Sequence, residues 1–404
     1  MKVEHEMAQS QVVPGRAPRA TWLPFSPPAI SEAEIAAVVE TMRSGWITTG
    51  PRTKQFEHKF AAYIGADAAN TLALNSCTSG LHIALACLNL QPGDEVITTP
   101  ITFACSANVI EQVGATPILA DVLPDTLTID PEKVAAAITA KTKAIMPVHF
   151  AGHPAEMSEL LAIARRHHLT VIEDAAHALP AAYCGQRIGT IGDFTAFSFY
   201  ATKNLTTAEG GMLIGPAEYA ARARVLSLHG MDRDAWKRYS GEGSWFYEVV
   251  APGFKYNMTD IQAAIGMVQL ERLEQMQARR RQVVATYNSA FSSISALEVP
   301  TSRSYVQNAW HLYVLRLNPE QLRIDRAEFI ALLKARNIGT SVHFIPIHLH
   351  PYYANKYGWK SEQFPVAYRE YKRMISLPLH PNLSSQDVTD VIDAVLDVVR
   401  AFKR

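Results

Sequence analysis

From residue 71 onward, short apolar runs alternate with stretches of helical pattern, and few architectures accommodate that alternation. The runs are Leu72–Leu74, Glu95–Thr98, Thr116–Asp121, Lys143–Val148, Thr170–Asp174, Phe194–Phe199 and Met212–Ile214. Helical patterns intervene at Gly80–Leu90, Ala104–Val113, Pro131–Ile138 and Ala155–His168, with turn-forming Gly and Pro at the joints. Strands alternating with helices build a mostly parallel sheet, so the chain is expected to be α/β. In such open sheets ligands collect in the crevice at the carboxyl ends of the strands. The residues just past each run are therefore the ones to read for chemistry.

Two of those ends carry complementary groups. The aromatic-rich run Phe194–Tyr200 gives way to Thr202-Lys203-Asn204, and the run Leu169–Asp174 ends in a carboxylate. Alone, Lys203 is one solvated loop lysine among many. Paired with a strand-end aspartate, it meets the needs of pyridoxal 5'-phosphate (PLP) chemistry. The lysine holds the cofactor covalently, and the aspartate keeps the pyridine nitrogen protonated so that the ring accepts electrons. Around this pair stand residues with two readings each. Asn75–Gly80, small and hydroxylic between a strand and a helix, is either a phosphate cradle or ordinary capping by Ser76 or Thr78. Phe103 either lies against a planar cofactor or belongs to the core. His177, three residues past Asp174, either meets a cofactor hydroxyl or solvates its loop. Gly210-Gly211 provides close backbone approach or a tight turn. Gly45–Pro51 with Trp46 is a plain turn or a loop touching substrate. The remaining histidine groups (His149 and His153, His167 and His168, His343, His348 and His350) lack a strong metal spacing, and no GxGxxG or Walker A pattern occurs.

At 404 residues the chain exceeds one ordinary domain, and a leader over 1–21, a large domain over 22–275 and a small C-terminal domain over 276–404 are expected. Ser31 is a plausible N-cap for a helix over Glu32–Met42, and Thr259 or Asp260 for a long one over Ile261–Phe291. Strand is expected at Trp310–Leu317 and near Thr340–Phe344, and helix at Arg326–Ala335 and Gln386–Phe402. Lys+Arg and Asp+Glu both number 38, which gives no support for a nucleic-acid or anionic-membrane surface. The four cysteines form no CxxC pair and read as buried reduced thiols. No run approaches 18 apolar residues and the first 20 lack a signal-peptide core, so a cytoplasmic protein is expected.

Taken together, Gly45-Trp-Ile-Thr-Thr-Gly50, Glu173-Asp-Ala-Ala-His-Ala178, Phe197-Ser-Phe-Tyr-Ala-Thr-Lys-Asn204 and Gly253-Phe-Lys-Tyr-Asn-Met-Thr-Asp260 resemble the motifs of the DegT/DnrJ/EryC1/StrS group of PLP-dependent sugar aminotransferases. The resemblance runs from Leu23 to Leu379. It implies the fold-type I aminotransferase architecture, with a large, mostly parallel seven-stranded sheet and a smaller C-terminal α+β domain. It also implies that Lys203 binds PLP and moves the proton between substrate and cofactor. Asp174 would pair with the ring nitrogen, His177 would meet the ring hydroxyl and Phe103 would stack on the ring. Thr78, Ser79 and Ser198 would bind the phosphate. Asn257 would reach the phosphate of a neighbouring subunit, giving a homodimer with shared active sites. Trp46, Thr48, Tyr200, His229 and His343 are the implied substrate contacts. Cys77 and Tyr200 depart from the family's pattern, where many relatives carry glycine and histidine. The Trp46 loop is similar to that of enzymes aminating C4 of UDP-linked 4-keto sugars, hexose or pentose, with L-glutamate as donor. Members with histidine in place of the lysine dehydrate sugars instead, so Lys203 favours amino transfer. The rival readings are a PLP sugar dehydratase or lyase on the same fold and a non-catalytic regulator that binds a sugar nucleotide.

Overall fold

The computed structural model describes residues 17–232 and 246–404. The expected leader over 1–21 lies outside the described residues as far as position 16. Strands β1 (Thr71–Leu74), β2 (Glu95–Thr98), β3 (Thr116–Leu119), β4 (Thr142–Ile145) and β5 (Thr170–Ala175) precede a two-residue hairpin, β6 (Ala182–Tyr183) and β7 (Gln186–Arg187). They are followed by β8 (Phe194–Ser198) and β9 (Gly211–Ile214). Seven of these form one sheet in the order β1-β9-β8-β5-β4-β2-β3, parallel except for β9, which runs antiparallel to both β1 and β8. A second sheet comprises β10 (Leu297–Glu298), β12 (Tyr313–Leu317) and β13 (Met374–Leu377), while β11 (Val306–Gln307) joins the β6–β7 hairpin. No helix among the described residues is long and apolar enough to cross a membrane.

The aromatic run of β8 is divided between the two faces of the sheet, as a strand's period of two requires. Phe194 meets Tyr219 on one face, whereas Phe197 and Phe199 meet Phe60 of the helix Pro51–Ile64 on the other, at centroid separations of 5.2 and 5.5 Å. Phe60, Phe197 and Phe199 are all fully buried. Burial of this kind stabilises by about 1.5–3 kcal/mol per side chain, which anchors β8 firmly. The anchored strand ends in the β8–β9 connection, and that connection carries Lys203.

Most expected elements form within a few residues of their expected limits. The helix after β1 spans Cys77–Cys87 and so begins three residues earlier than Gly80, because the Ser76 hydroxyl caps it by accepting the Ser79 N–H at 3.1 Å. The expected strand at Thr340–Phe344 is absent. Ser341 makes a single bridge to Ser376, and Pro346, which has no N–H to donate, leads instead into a short 3-10 turn at Ile347–Leu349. All four cysteines are free, but Cys184 is exposed, at the turn between β6 and β7.

The helix Pro51–Ile64 was hidden in sequence because its cap comes from elsewhere. Gly50 at its N-cap offers no side chain, and the buried carboxylate of Asp260 accepts from the Gly50, Arg52 and Thr53 N–H groups at 2.8, 3.0 and 2.9 Å. The Thr53 hydroxyl adds a fourth bond at 2.7 Å. A carboxylate at a helix N-terminus also meets the positive end of the helix dipole. Asp260 is itself the first residue of the helix Asp260–Phe291, which Thr259 and Gln262 close with a capping box. One side chain thus ties two helix starts together. We predict that Asp260→Ala destabilises the protein by about 3 kcal/mol, several orphaned donors outweighing the roughly 1 kcal/mol of a lost cap in Thr259→Ala. Equal thermal shifts for the two variants in a melting experiment would contradict this account.

Candidate active site

β5 and β8 lie side by side and parallel, with Asp174 opposite Ala196 and Ala175 opposite Phe197. Just beyond, the chain folds back on itself: the Phe199 N–H reaches Gly210 O at 2.8 Å, and the Lys203 N–H closes a turn onto Tyr200 O at 2.9 Å. Gly211, where β9 begins, lies so close to the start of the helix Cys77–Cys87 that an added Cβ would come within 2.4 Å of the Ser76 carbonyl carbon. Close approach therefore accounts for that glycine, and it brings a helix N-terminus beside the Lys203 loop.

Asp174 is buried, and its carboxylate accepts from Ser106 Oγ at 2.8 Å and from the Ala176 N–H at 3.1 Å. Burial raises its pKa, opposed by those two bonds and by the Lys203 charge. Glu173, its neighbour, points to the opposite face and there accepts from His149 Nε2, Gly192 N–H and Thr195 Oγ1 at 2.7–2.8 Å. Lys203 is half-buried at the mouth of the loop, and desolvation pushes its pKa down to about 8 against the pull of Cys77, Asp174 and Cys105. Burial drives the Cys77 thiol up, and its Sγ donates to Ala196 O at 3.3 Å. Cys105 is likewise pushed up to about 12.

The His177 ring is buried, and its Nδ1 accepts from the Ala151 N–H at 3.2 Å. Desolvation, with the Lys203 charge and the neighbouring His343 ring, holds its pKa well below the ordinary value, so it is a neutral ring with its proton on Nε2. Phe344 stacks on it at 5.7 Å and 22°. Phe103 is 62% exposed, with its ring tilted against Phe344 at a centroid separation of 5.9 Å. His343 is pushed down to about 4, chiefly by burial, and its Nδ1 meets Ser376 Oγ at 2.8 Å.

Thr78 and Ser79 fall in the first turn of the helix Cys77–Cys87, where N–H groups lack intrahelical acceptors. Ser79 is buried and turned inward, donating to Asn75 Oδ1 at 2.7 Å. Ser198 closes β8, and Tyr200, two residues on, is exposed. Other expected residues gather elsewhere. Trp46, Thr48, Lys255 and Asn257 line a separate cleft of about 450 Å³, which neither Lys203, Asp174 nor His177 lines. Within it Asn257 Nδ2 donates to Thr49 Oγ1 at 2.6 Å, and Trp46 Nε1 donates to Thr49 O at 3.0 Å. His229 follows Leu228 on that cleft's wall and donates its N–H to Phe254 O at 2.7 Å.

Sequence reasoning did not identify Ser106, Asn204 or His311. Ser106 holds the Asp174 carboxylate, and Asn204 and His311 are buried beside Lys203 and bonded to each other at 3.3 Å. Adjacency to Lys203 was a usable signal for Asn204 alone. No group of His, Cys, Asp or Glu among the described residues is arranged to hold a metal ion.

The donor set fits PLP. A desolvated carboxylate favours a cationic ring nitrogen, an exposed aromatic face offers a stacking surface, and a neutral imidazole presents an N–H. A helix N-terminus with hydroxyls suits a phosphate, and a lysine with depressed pKa suits a carbonyl carbon.

Comparison with known proteins agrees with that reading. The model of the DegT/DnrJ/EryC1/StrS aminotransferase family matches residues 28–396. The spore coat polysaccharide biosynthesis protein SpsC of Bacillus subtilis is 52% identical over 381 residues, 94% of this chain and 97% of its own length. Spr1654 of Streptococcus pneumoniae, solved in PLP and PMP forms, is 38% identical. Its PMP form superposes with a TM-score of 0.88 over 94% of this chain and 99% of that one. Helicobacter pylori PseC, an aminotransferase involved in the biosynthesis of pseudoaminic acid, is 27% identical, with a TM-score of 0.88 over 95% of this chain and all of its own. The chain belongs to the DegT/DnrJ/EryC1/StrS family and is a PLP-dependent sugar aminotransferase of fold type I.

Proposed function

We propose that the protein moves an amino group from L-glutamate to a nucleotide-linked keto sugar, a UDP-4-keto hexose or pentose aminated at C4. The single observation that carries the reading is the buried Asp174 at the end of β5 beside Lys203 past the end of β8, with His177 and the exposed Phe103 close by. When bound, PLP supplies a carbonyl to take up the donor's amine and a ring to store an electron pair. In this reading Lys203 would hold the cofactor and, once released, would carry the proton between substrate carbon and cofactor. Asp174, held by Ser106, would pair with the ring nitrogen. His177 would offer its Nε2 proton to the ring hydroxyl, and Phe103 would stack on the ring. Thr78, Ser79 and Ser198 would bind the phosphate.

Asn257 belongs to the same reading through a second copy of the chain. Its cleft lies apart from Lys203, and the helix Glu32–Arg43 carries Ile35, Val39 and Met42 exposed at spacings that share one face. A homodimer that covers this face and lends Asn257, Trp46, Thr48 and His229 to the partner's site accounts for both. Tyr200 and His343 then contact the sugar from the Lys203 side. The active site thus lies among a large part (residues 22–275), a small part (276–404) and the partner, in a cytoplasmic enzyme. The name of SpsC supports a place in polysaccharide biosynthesis.

The test is amino transfer to a panel of nucleotide-linked keto sugars with L-glutamate, read by mass spectrometry and NMR. An amine at C4 of a UDP sugar is expected, and a deoxygenated product without an amine would overturn the reading. Lys203→Ala should lose the visible band of the loaded protein, and its turnover should fall on the order of 1,000-fold or more. Turnover at the wild-type rate would remove Lys203 from its role. The depressed Lys203 pKa also fixes a pH dependence. Only the neutral amine attacks a carbonyl, so capture of PLP by the apoprotein should speed up as pH rises and level off above a midpoint near 8. Stopped-flow absorbance that keeps rising through pH ~10, where an ordinary lysine titrates, would contradict it.

A further inference from the structure

Asn204, next to Lys203, is buried, and its side-chain nitrogen donates to two carbonyls, Leu179 O at 2.8 Å and Ala309 O at 2.7 Å. Those bonds fix the orientation of the amide, since an oxygen at that position would face two acceptors. Its oxygen therefore faces His311 Nδ1, 3.3 Å away, and an amide oxygen only accepts. His311 must carry its proton on Nδ1. The His311 ring is buried among Lys203, His177, Arg280 and His343, and burial, first of all, together with the Lys203 and Arg280 cations and the two crowding imidazoles keeps it neutral. Its Nε2 is consequently a bare acceptor. This is the reverse of His177, whose Nδ1 accepts and whose Nε2 bears the proton. The two rings lie 4.5 Å apart at 42°, and Ala151 ties their segments together: its N–H donates to the His177 ring at Nδ1, while its carbonyl accepts the backbone N–H of His311 at 3.0 Å.

We propose that Asn204 and His311 are positioning residues: Asn204 fixes His311 as its Nδ1–H tautomer, and the imidazole held in that form beside His177, whose own tautomer the Ala151 N–H sets, keeps His177 a neutral hydrogen-bond donor in the active site. This rests on His177 lying at the cofactor, as proposed above, but the proton positions are properties of the protein alone and can be read without the cofactor. Besides burial, a proton on His311 is disfavoured by Lys203, His177, Arg280 and His343, and one on His177 by Lys203 and His343, and the Asn204 amide offers no negative charge to offset it. Gln277, which donates to Ala309 O at 2.7 Å, holds the same carbonyl from the other side.

The experiment uses apoprotein labelled with ¹⁵N-histidine, with long-range ¹H–¹⁵N spectra assigned through His311→Asn and His177→Asn. His311 should show the Nδ1–H tautomer, the minor one in free histidine, and His177 the Nε2–H tautomer, both unprotonated through pH 6. Finding His311 with its proton on Nε2 would overturn the proposal, whatever the substrate. The second measurement is the pH at which the visible band of the PLP-loaded protein shifts. In Asn204→Asp a carboxylate faces Nδ1, His311 becomes a cation beside His177, and the midpoint should fall by about one unit. Adding His311→Asn should restore it. A midpoint that falls equally with and without His311, or that does not move in a folded Asn204→Asp protein, would also overturn the proposal. If the tautomers are as stated but the loaded protein's midpoint is insensitive to both changes, the pair does not act on the cofactor and the positioning role fails.

Discussion

The register of β5 against β8 is the constraint on which the site depends. Successive strand residues face opposite sides, so Asp174 and Glu173 are committed to different environments by a single step along the chain. Asp174 lies on the side of the helices Cys77–Cys87 and Cys105–Gln112, where it meets Ser106 and the thiol of Cys77. Glu173 lies on the other and is consumed by His149, Gly192 and Thr195. The His149–Glu173 contact is thus a scaffold for the strand rather than part of the chemistry. His149 Nδ1 accepts from the Ala155 N–H at 3.0 Å, which leaves its other nitrogen to donate to the carboxylate. A slip of one residue would exchange the two carboxylates and leave the cleft with the wrong one.

Electrostatics within the cleft follow from crowding bases in a place with little water. Lys203, His177, His311 and His343 all sit below their ordinary pKa values, burial being the first cause of each shift. Two protonated imidazoles 4.5 Å apart would repel by about 4 kcal/mol even at an effective dielectric constant of 20, so both rings stay neutral. Asp174 is raised by the same desolvation. The pattern suits an aminotransferase, which needs a lysine that sheds its proton readily and a carboxylate that gains from a cationic partner. The carboxylate that binds Gly50, Arg52 and Thr53 extends this economy of buried charge to the scaffold, since Asp260 finds all its partners in one helix start.

What was legible in sequence is what the strand period and strand ends encode. The parallel strands, Lys203, Asp174 and His177 follow from apolar runs that stop at polar residues. Ser106, Asn204 and His311 did not, because their roles arise from partners 68, 25 and 105 or 107 positions away, which no local pattern reveals. The helix Pro51–Ile64 escaped for the same reason, its cap being Asp260. Thr340–Phe344 has strand-like composition, yet its residues are used to bring His343 and Phe344 to the cleft, where His343 bonds Ser376 and Phe344 packs between Phe103 and His177. Of the residues offered as ordinary caps in Asn75–Gly80, Ser76 is the one that caps the helix, accepting the Ser79 N–H, while Thr78 falls within its first turn.

In the proposed function Lys203 and Asp174 form a site that exchanges an amino group with a donor before any sugar is present. The most direct test is the visible spectrum of the PLP-loaded protein before and after L-glutamate, without sugar, alongside a count of the 2-oxoglutarate released. The account predicts loss of the visible band with one 2-oxoglutarate formed per site. A band indifferent to glutamate, with no keto acid released, would contradict it.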